Sequence, residues 1–298
     1  MLTPVSDFYV QQFQSVPQVD ASAWQLTIDG LVNHPLTLDY AAVLSLPRAE
    51  LMRTLECIGN PVGGNQIGNA QWAGFWLADL LAQVSPQAAA RRVRFAAADG
   101  YDTSVSLDWI MAPDVLMAYE MNGEPLTAAH GFPLRIFMPG LYGQKMPKWI
   151  TRMEFIADAE HLGYWEERGW SNVAAVKTNS QMMSPTHISR LPLGEALIYG
   201  VAYAGNRAIT RVEIGIEPAR GELVWYEAEL LAGPSSQVWT QFYFPWTPAA
   251  PTSYTLYVRA RDNDGFTQHE IGRGVLEGAF PDGSDKIHNI VVQVGQDS

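Results

Sequence analysis

The feature that most constrains the fold is a change of periodicity near the middle of the chain. From about Glu195 onward, helical spacing is nearly absent. Short runs of alternating apolar and polar residues follow one another instead, about ten residues apart, with turn residues between them. Alternation with this period places successive side chains on opposite faces of a strand, which predicts an all-β second half. The five runs are ALIYGVAYAG, ITRVEIGIEP, LVWYEAELL, WTQFYFPW and YTLYVRARDNDG.

The first half mixes helical spacing with strand alternation, so the predicted fold class is α+β: a mixed domain followed by an antiparallel sandwich of immunoglobulin-like type. Ser, Pro, Asn and Thr cluster between Lys177 and Leu193, which marks the join. We predict domains over residues 1–180 and 181–298. In the first domain, the predicted strands are Ala23–Gly30, Met52–Cys57, Arg92–Ala97, Thr103–Leu107, Leu134–Met138 and Trp149–Ile156. The predicted helices are Leu38–Leu46, Trp76–Gln83 and a segment over Met111–Met121 that leads into a strand.

Charge and hydropathy restrict the partners. The chain has 19 Lys and Arg against 31 Asp and Glu, a formal net charge of −12. Nucleic acid requires a basic face, so we expect no nucleic-acid partner. No apolar run reaches the roughly 18 residues that a membrane span needs, and the first residues lack the pattern of a signal peptide. These residues do not decide the compartment, because a protein whose signal peptide has been removed would show the same start and could be periplasmic or otherwise extracytoplasmic.

A single cysteine, Cys57, ends a predicted strand and opens into the loop Gly59–Ala70, which contains four glycines. One cysteine excludes an internal disulfide, a CxxC zinc site and a CxxCH haem site. A thiolate is a suitable ligand for a soft transition metal. A lone cysteine is also commonly a small buried apolar residue, and the residues alone leave both interpretations open.

Basic residues concentrate in one short segment. His130, Arg135, Lys145 and Lys148 stand among glycines and next to an apolar strand. Cationic side chains that are partly buried bind phosphate and other anions well. The alternative is a solvated basic face on the protein surface.

Several ordered segments resemble the sulfite oxidase family of molybdenum enzymes. The resemblance runs from about Phe8 to Thr178, and the second half resembles the dimerisation domain of that family. The segments are TLECIGNPVGGNQIGNAQWAGFWLADLL, AYEMNGEPL, HGFPLRIFMPGLYGQKMPKWITRMEF and GYWEERGW.

This resemblance implies a molybdenum-molybdopterin cofactor with Cys57 as the protein ligand to the metal. It also implies that His130, Arg135 and Lys148 hold the pterin and its phosphate, with Lys145 nearby. An external electron carrier (a cytochrome or a membrane subunit), a small-molecule substrate and a homodimer follow from the same resemblance. Further contacts to the cofactor are expected at Tyr9, Gln11, Asn60, Asp99 and Ser104.

The chain departs from the family where sulfite would bind. Gln11 and Phe13 stand where the family has an arginine and a histidine, Pro61 and Val62 replace two arginines, and Trp170 replaces the active-site tyrosine. Arginine binds oxyanions through charge-assisted hydrogen bonds. We therefore expect a less charged substrate, with Trp170 as a catalytic-site residue.

The expected function is a molybdopterin-dependent oxidoreductase that transfers an oxygen atom to or from a small substrate. One alternative is a sulfite dehydrogenase whose anion site uses Arg168 or Arg53. A second is a hydrolase with Cys57 as nucleophile and His130 as base. A third is a binding module without catalytic activity.

Overall fold

The computed structural model describes residues 2–272 and 278–295. Its internal contacts divide the chain into two compact units. The first comprises Met1–Ile58 and Ile67–Ala175, and the second comprises Gly59–Gln66 and Val176–Ser298. The loop that follows Cys57 thus packs with the second unit, whereas the sequence placed it in the first domain.

The strands of the first unit form two sheets. Their bounds are β1 Gln25–Gly30, β2 Leu36–Asp39, β3 Ala49–Glu56, β4 Ile67–Trp76, β5 Arg92–Ala97, β6 Asp102–Ser106, β7 Leu116–Met121, β8 Glu124–Pro125, β9 Arg135–Phe137 and β10 Ile150–Ile156. One sheet has the order β2-β1-β10-β5-β6. The other has the order β3-β4-β7-β8, with β9 also paired to β7.

The helices of the first unit are short. They are α1 Tyr40–Leu44, α2 Leu77–Val84 and α3 Leu107–Ile110, with 3₁₀ turns at Ala128–His130, Gly143–Lys145 and Glu166–Arg168. Helix α2 buries Leu77, Leu80, Leu81 and Val84, a spacing that places one apolar stripe against the sheets. No helix among the described residues is long and apolar enough to cross a membrane.

The described strands of the second unit also form two sheets. Their bounds are β11 Asn179–Ser184, β12 Arg190–Pro192, β13 Ala196–Tyr203, β14 Ile209–Pro218, β15 Val224–Glu227, β16 Glu229–Leu231, β17 Thr240–Trp246, β18 Ser253–Asp262 and β19 His288–Gly295. The sheet orders are β11-β13-β17-β16 and β12-β19-β18-β14-β15. Both sheets contribute to one hydrophobic core, for example Ile198 and Phe242 from the first and Ile214, Val258 and Val292 from the second.

Three expectations from the sequence differ from the structure. The segment Met111–Met121 contains no helix, because the helix ends at Ile110 and Pro113 cannot continue it. The glycine loop ends at Gln66, since Ile67 already pairs with Glu56. The run LVWYEAELL contains two strands that belong to different sheets, because β15 pairs with β14 whereas β16 pairs with β17.

Gly200, in the middle of β13, lies where no side chain fits. A Cβ there would overlap the carbonyl oxygen of Gln181 and come within 2.7 Å of the Phe242 ring. We expect Gly200→Ala to lower the free energy of unfolding of the second unit by about 1–3 kcal/mol, because overpacked sites force neighbouring groups to move. Denaturant unfolding measures this change.

Gly194→Ala is the matched control, because nothing lies within 4 Å of a Cβ at that position. Its free energy of unfolding should stay within about 0.5 kcal/mol of the wild-type value. Equal effects of the two substitutions would contradict the packing described for β13.

Candidate functional site

Cys57 immediately follows β3 and is half-buried. The neighbouring strand β4 brings Gly68 opposite Leu55. The ring of Phe8 lies over Gly68, since a Cβ at that glycine would be only 2.6 Å from the ring. The N-terminal segment therefore crosses the sheet next to the strand that carries the cysteine.

The segment predicted to bind an anion forms a compact group. The Arg135 guanidinium donates through Nη1 to the carbonyl oxygen of His130 at 3.0 Å, and Lys148 Nζ donates to the carbonyl oxygen of Ala129 at 2.8 Å. Gly131 lies between the two cations, at a φ of 114°, and a Cβ there would be 3.1 Å from Lys148 Cβ and 3.2 Å from Arg135 Cβ. Glycine is favoured at this position both by its backbone angle and by the crowding.

Burial makes the charge of this group costly. It lowers the pKa of Lys148 to about 7 and that of His130 to about 4, and in both cases the Arg135 charge adds to the effect. Burial also lowers the pKa of Arg135 to about 10. Asp99 attracts Lys148, although burial raises the pKa of that carboxyl group. The cations repel one another in a poorly solvated place, which an anionic ligand would relieve.

Arg135 has a donor that the described residues do not use. Its side chain is 4% exposed, and its Nε atom has no hydrogen-bond partner among them. The guanidinium stands 5.2 Å from the centre of the Trp72 ring and 4.6 Å from that of Phe137. An unpaired buried donor beside the Lys148 ammonium group and the neutral imidazole of His130 suits a phosphate, and the donor set therefore fits the phosphate-bearing pterin cofactor.

The N-terminal residues named by the resemblance lie in different surroundings. Tyr9 stacks on Phe8, and its hydroxyl would lie 3.5 Å from a Cβ at Gly143. An electrostatic interaction also links Tyr9 to Arg135. Gln11 is exposed on the same segment. Tyr9 is therefore placed beside the basic group, and Gln11 on the surface near it in sequence.

Asn60 is buried in the loop that groups with the second unit. Its Oδ1 atom accepts a hydrogen bond from the backbone N–H of Gln66 at 3.0 Å. In the same loop, Gly63 has a φ of 69° and lies directly against the imidazole of His288. Burial lowers the pKa of His288 to about 4, so the ring is neutral at pH 7 and accepts from Met182 N at 3.1 Å.

Lys145 and Ser104 contact other groups than the basic residues above. Lys145 is fully buried, and its ammonium group forms an ion pair with Glu166. Ser104 Oγ donates to the carbonyl oxygen of His161 at 3.0 Å and accepts from Arg92 Nε at 2.8 Å. Burial lowers the pKa of Lys145 against the attraction of Glu166. For Glu166, burial acts to raise the pKa, but the attraction of Lys145 and hydrogen bonds outweigh it and keep it low.

Trp170 is half-buried and follows the turn Glu166–Arg168. Its backbone N–H donates a hydrogen bond to the Trp165 carbonyl oxygen at 3.2 Å. Arg168 is exposed and stacks on the Tyr164 ring, 3.5 Å from the ring centre. Arg53 is buried and donates to the carbonyl oxygen of Asp114 at 3.0 Å. The Arg53 guanidinium also pairs with the carboxylate of the same Asp114 at 3.6 Å.

Two residues of this region were not singled out as site residues from the sequence. Glu166 lies within the predicted motif GYWEERGW, but its burial against Lys145 has no sequence signal. Gln144 donates through Nε2 to Glu166 Oε1 at 3.0 Å and to the Ser171 carbonyl oxygen at 3.2 Å. Only the pairing of distant segments reveals these contacts.

Comparison with known proteins identifies the family of this chain. Residues 13–165 match the family model described as "oxidoreductase molybdopterin binding domain". The chain is 32% identical to the sulfite oxidase of Arabidopsis thaliana, over 79% of this chain and 72% of that protein. It is 29% identical to the NADPH nitrate reductase of Emericella nidulans, over 88% of this chain but only 38% of that longer protein.

A solved structure shows the same fold. The sulfane dehydrogenase SoxCD from Paracoccus pantotrophus superposes with a TM-score of 0.79, at 22% identity, over 94% of this chain and 81% of that one. The names of these relatives describe redox enzymes with different substrates, sulfite in one case and nitrate in the other. This chain belongs to the sulfite oxidase family of molybdopterin-dependent oxidoreductases.

Proposed function

We propose that the protein transfers an oxygen atom to or from a small substrate at a molybdenum ion that Cys57 ligates. Electrons are exchanged with an external carrier. The oxidoreductase class and the molybdenum-molybdopterin cofactor follow from the family. When bound, that cofactor supplies the redox chemistry, while the protein supplies binding, orientation and electrostatics. The assignment of individual residues is our proposal.

The observation that carries this proposal is the buried pair of cations, Arg135 and Lys148, with an unused donor and the neutral imidazole of His130 beside it. Arg135 Nε lacks a partner among the described residues, and Lys148 and His130 stand beside it. We assign these three residues to the pterin and its phosphate. Tyr9 links the group to the strand of Cys57, because its hydroxyl and the carbonyl oxygen of Glu56 both lie close to Gly143.

The proposed substrate is less charged than sulfite. Aromatic side chains cluster in the segment that leads to Trp170: Phe13 contacts Tyr164 at 4.2 Å between ring centres, Tyr164 contacts Trp165 at 5.0 Å, and the backbone N–H of Trp170 donates to the Trp165 carbonyl oxygen. Phe13 stands where the family has a histidine, so an aromatic ring replaces a titratable donor. Aromatic faces favour apolar or cationic groups over oxyanions.

For the second unit we propose an immunoglobulin-like sandwich that forms a homodimer. Its two sheets share one core, as sandwiches require. The outer face of β13 exposes Leu197 and Tyr199, which would suit an interface between two copies. The first unit is the proposed catalytic domain, and a cytochrome or a membrane subunit is the proposed electron partner.

Replacing the proposed metal ligand should stop catalysis without unfolding the protein. Cys57 is half-buried at the end of β3, so Cys57→Ser changes one atom and leaves the packing intact. We expect turnover to be lost, with the melting temperature and the pterin content per chain close to wild type. Full activity of the variant at full molybdenum content would contradict the role of Cys57.

Anion binding by the cofactor-depleted protein should weaken as the pH rises above 7. Lys148 has a pKa of about 7 there, and an anion binds its protonated form. Binding at higher pH therefore requires proton uptake, so affinity should fall by up to about tenfold per pH unit between pH 7 and 9. Calorimetric titration with inorganic phosphate, corrected for the proton that the phosphate itself loses near pH 7, measures this slope.

Lys148→Met should bind phosphate more weakly and show a smaller slope. Lys177→Met is the matched control, because Lys177 pairs with Asp282 in the second unit and should leave the slope unchanged. A phosphate affinity that is independent of pH in the wild-type protein would contradict the assignment of Lys148.

Sulfite should be a poor substrate, because Gln11 and Val62 stand where the family has arginines and Trp170 stands where it has a tyrosine hydroxyl, so donors that an oxyanion needs are missing. Steady-state turnover with an artificial electron acceptor should not saturate with sulfite up to about 1 mM, the upper end of ordinary KM values. Saturation well below that concentration would instead favour a sulfite dehydrogenase with a rearranged anion site.

A further inference from the structure

The 3₁₀ turn Gly143–Lys145 lies between two parts of the proposed site. On one side, a Cβ at Gly143 would stand 3.4 Å from the carbonyl oxygen of Glu56, the residue before Cys57. On the other side, Gln144 and Lys145 contact residues 163–172, which we call the Trp170 loop. The turn therefore touches both the strand of the proposed metal ligand and the loop of the proposed substrate residue.

The contacts from the turn to the Trp170 loop are polar and buried. Lys145 Nζ pairs with the Glu166 carboxylate and stands 3.3 Å from Asn172 Oδ1. Gln144 Nε2 donates to Glu166 and to the carbonyl oxygen of Ser171. These contacts bracket Trp170, because Glu166 precedes it in the chain and Ser171 and Asn172 follow it.

The same loop is also held from the sheet below. Thr103 Oγ1, on β6, donates to Glu166 Oε1 at 2.8 Å. Arg92, on β5, donates through Nη2 to Asn172 Oδ1 at 2.9 Å. The backbone N–H of Tyr164 donates to the carbonyl oxygen of Asp102 at 3.2 Å. The Lys145–Glu166 pair is the charged centre of this network.

The ammonium group of Lys145 is already saturated with acceptors. It has three N–H donors, and four acceptors surround it: the Glu166 carboxylate, the Ser104 carbonyl oxygen at 3.1 Å, and Thr103 Oγ1 and Asn172 Oδ1 at 3.3 Å. A cofactor oxygen would have to displace one of these partners. Arg135 differs, since its Nε atom has no partner among the described residues.

We propose that Lys145 and Glu166 are positioning residues: their buried ion pair fixes the Trp170 loop against the turn beside Cys57 and so sets the shape of the substrate pocket. Lys145 then acts on the substrate site through Trp170 and does not bind the pterin. This inference rests on the proposed function, in which Trp170 borders the substrate.

The test separates positioning from cofactor binding by measuring both. In Lys145→Met, the buried carboxylate of Glu166 loses its cationic partner and keeps only the neutral donors Thr103 and Gln144, and the Trp170 loop should loosen. We expect pterin and molybdenum per chain to stay near the wild-type values and hydrogen–deuterium exchange of residues 163–172 to rise. With dimethyl sulfoxide as a neutral oxygen-atom donor, KM should rise about tenfold or more with a smaller change in kcat. Lys148→Met is the reference for lost cofactor binding and should retain little pterin.

A second variant guards against simple unfolding. Lys145→Met combined with Glu166→Gln removes both charges, so no unpaired charge remains buried. The double variant should fold at least as well as Lys145→Met and still show raised exchange in the Trp170 loop. Lys177→Met, which removes a lysine from an ion pair in the second unit, should leave exchange and KM unchanged.

Loss of pterin from Lys145→Met to the extent seen with Lys148→Met, with unchanged exchange in the Trp170 loop, would overturn the inference. So would wild-type exchange and wild-type KM in both Lys145 variants. Failure of the proposed function gives a different pattern. In that case the wild-type protein would contain no molybdenum and no pterin, but Lys145→Met would still show raised exchange in the Trp170 loop.

Discussion

The first unit gathers more positive charge around Arg135 than its own side chains neutralise, and the proposed cofactor site depends on that excess. Arg135 and Lys148 donate to carbonyl oxygens of the turn before Gly131, so the same cations also hold the backbone of the site in place. Burial lowers the pKa of both groups, and the Arg135 charge lowers that of Lys148 further, so their charges are unfavourable without an anion. A bound phosphate would convert this repulsion into binding energy.

Two lysines three positions apart in sequence illustrate how packing separates roles. Lys148 lies beside Arg135, and burial lowers its pKa to about 7 because the nearby carboxylate of Asp99 compensates only partly. Lys145 is more deeply buried, but Glu166 neutralises it. The basic segment HGFPLRIFMPGLYGQKMPKW predicted a single anion site. In the structure, the Lys145 ammonium group pairs with Glu166, whereas the Lys148 ammonium group donates to the carbonyl oxygen of Ala129 beside Arg135.

The loop after Cys57 shows a similar division. Its glycines indicated a close approach to a ligand, but Gly63 is required where the His288 ring packs against the backbone, and Asn60 closes the loop on Gln66. His288 is far along the chain, and no local pattern could have predicted this contact. The segment that continues from the proposed metal ligand is therefore held by residues of the second unit.

The sequence by itself determined that the second half consists of strands, and it determined most strand positions, the family and the cofactor, because periodicity and ordered motifs are local properties. It could not show that the helix before Pro113 ends at Ile110 and that a strand begins at Leu116. Nor could it show that LVWYEAELL is divided at Ala228 between two sheets, because that depends on which strands pair. Nor could the sequence show that Lys145 forms an ion pair with Glu166 whereas Lys148 lies beside Arg135. Tertiary structure decided those partners, because burial and hydrogen bonding between distant segments set the energy of a charged side chain.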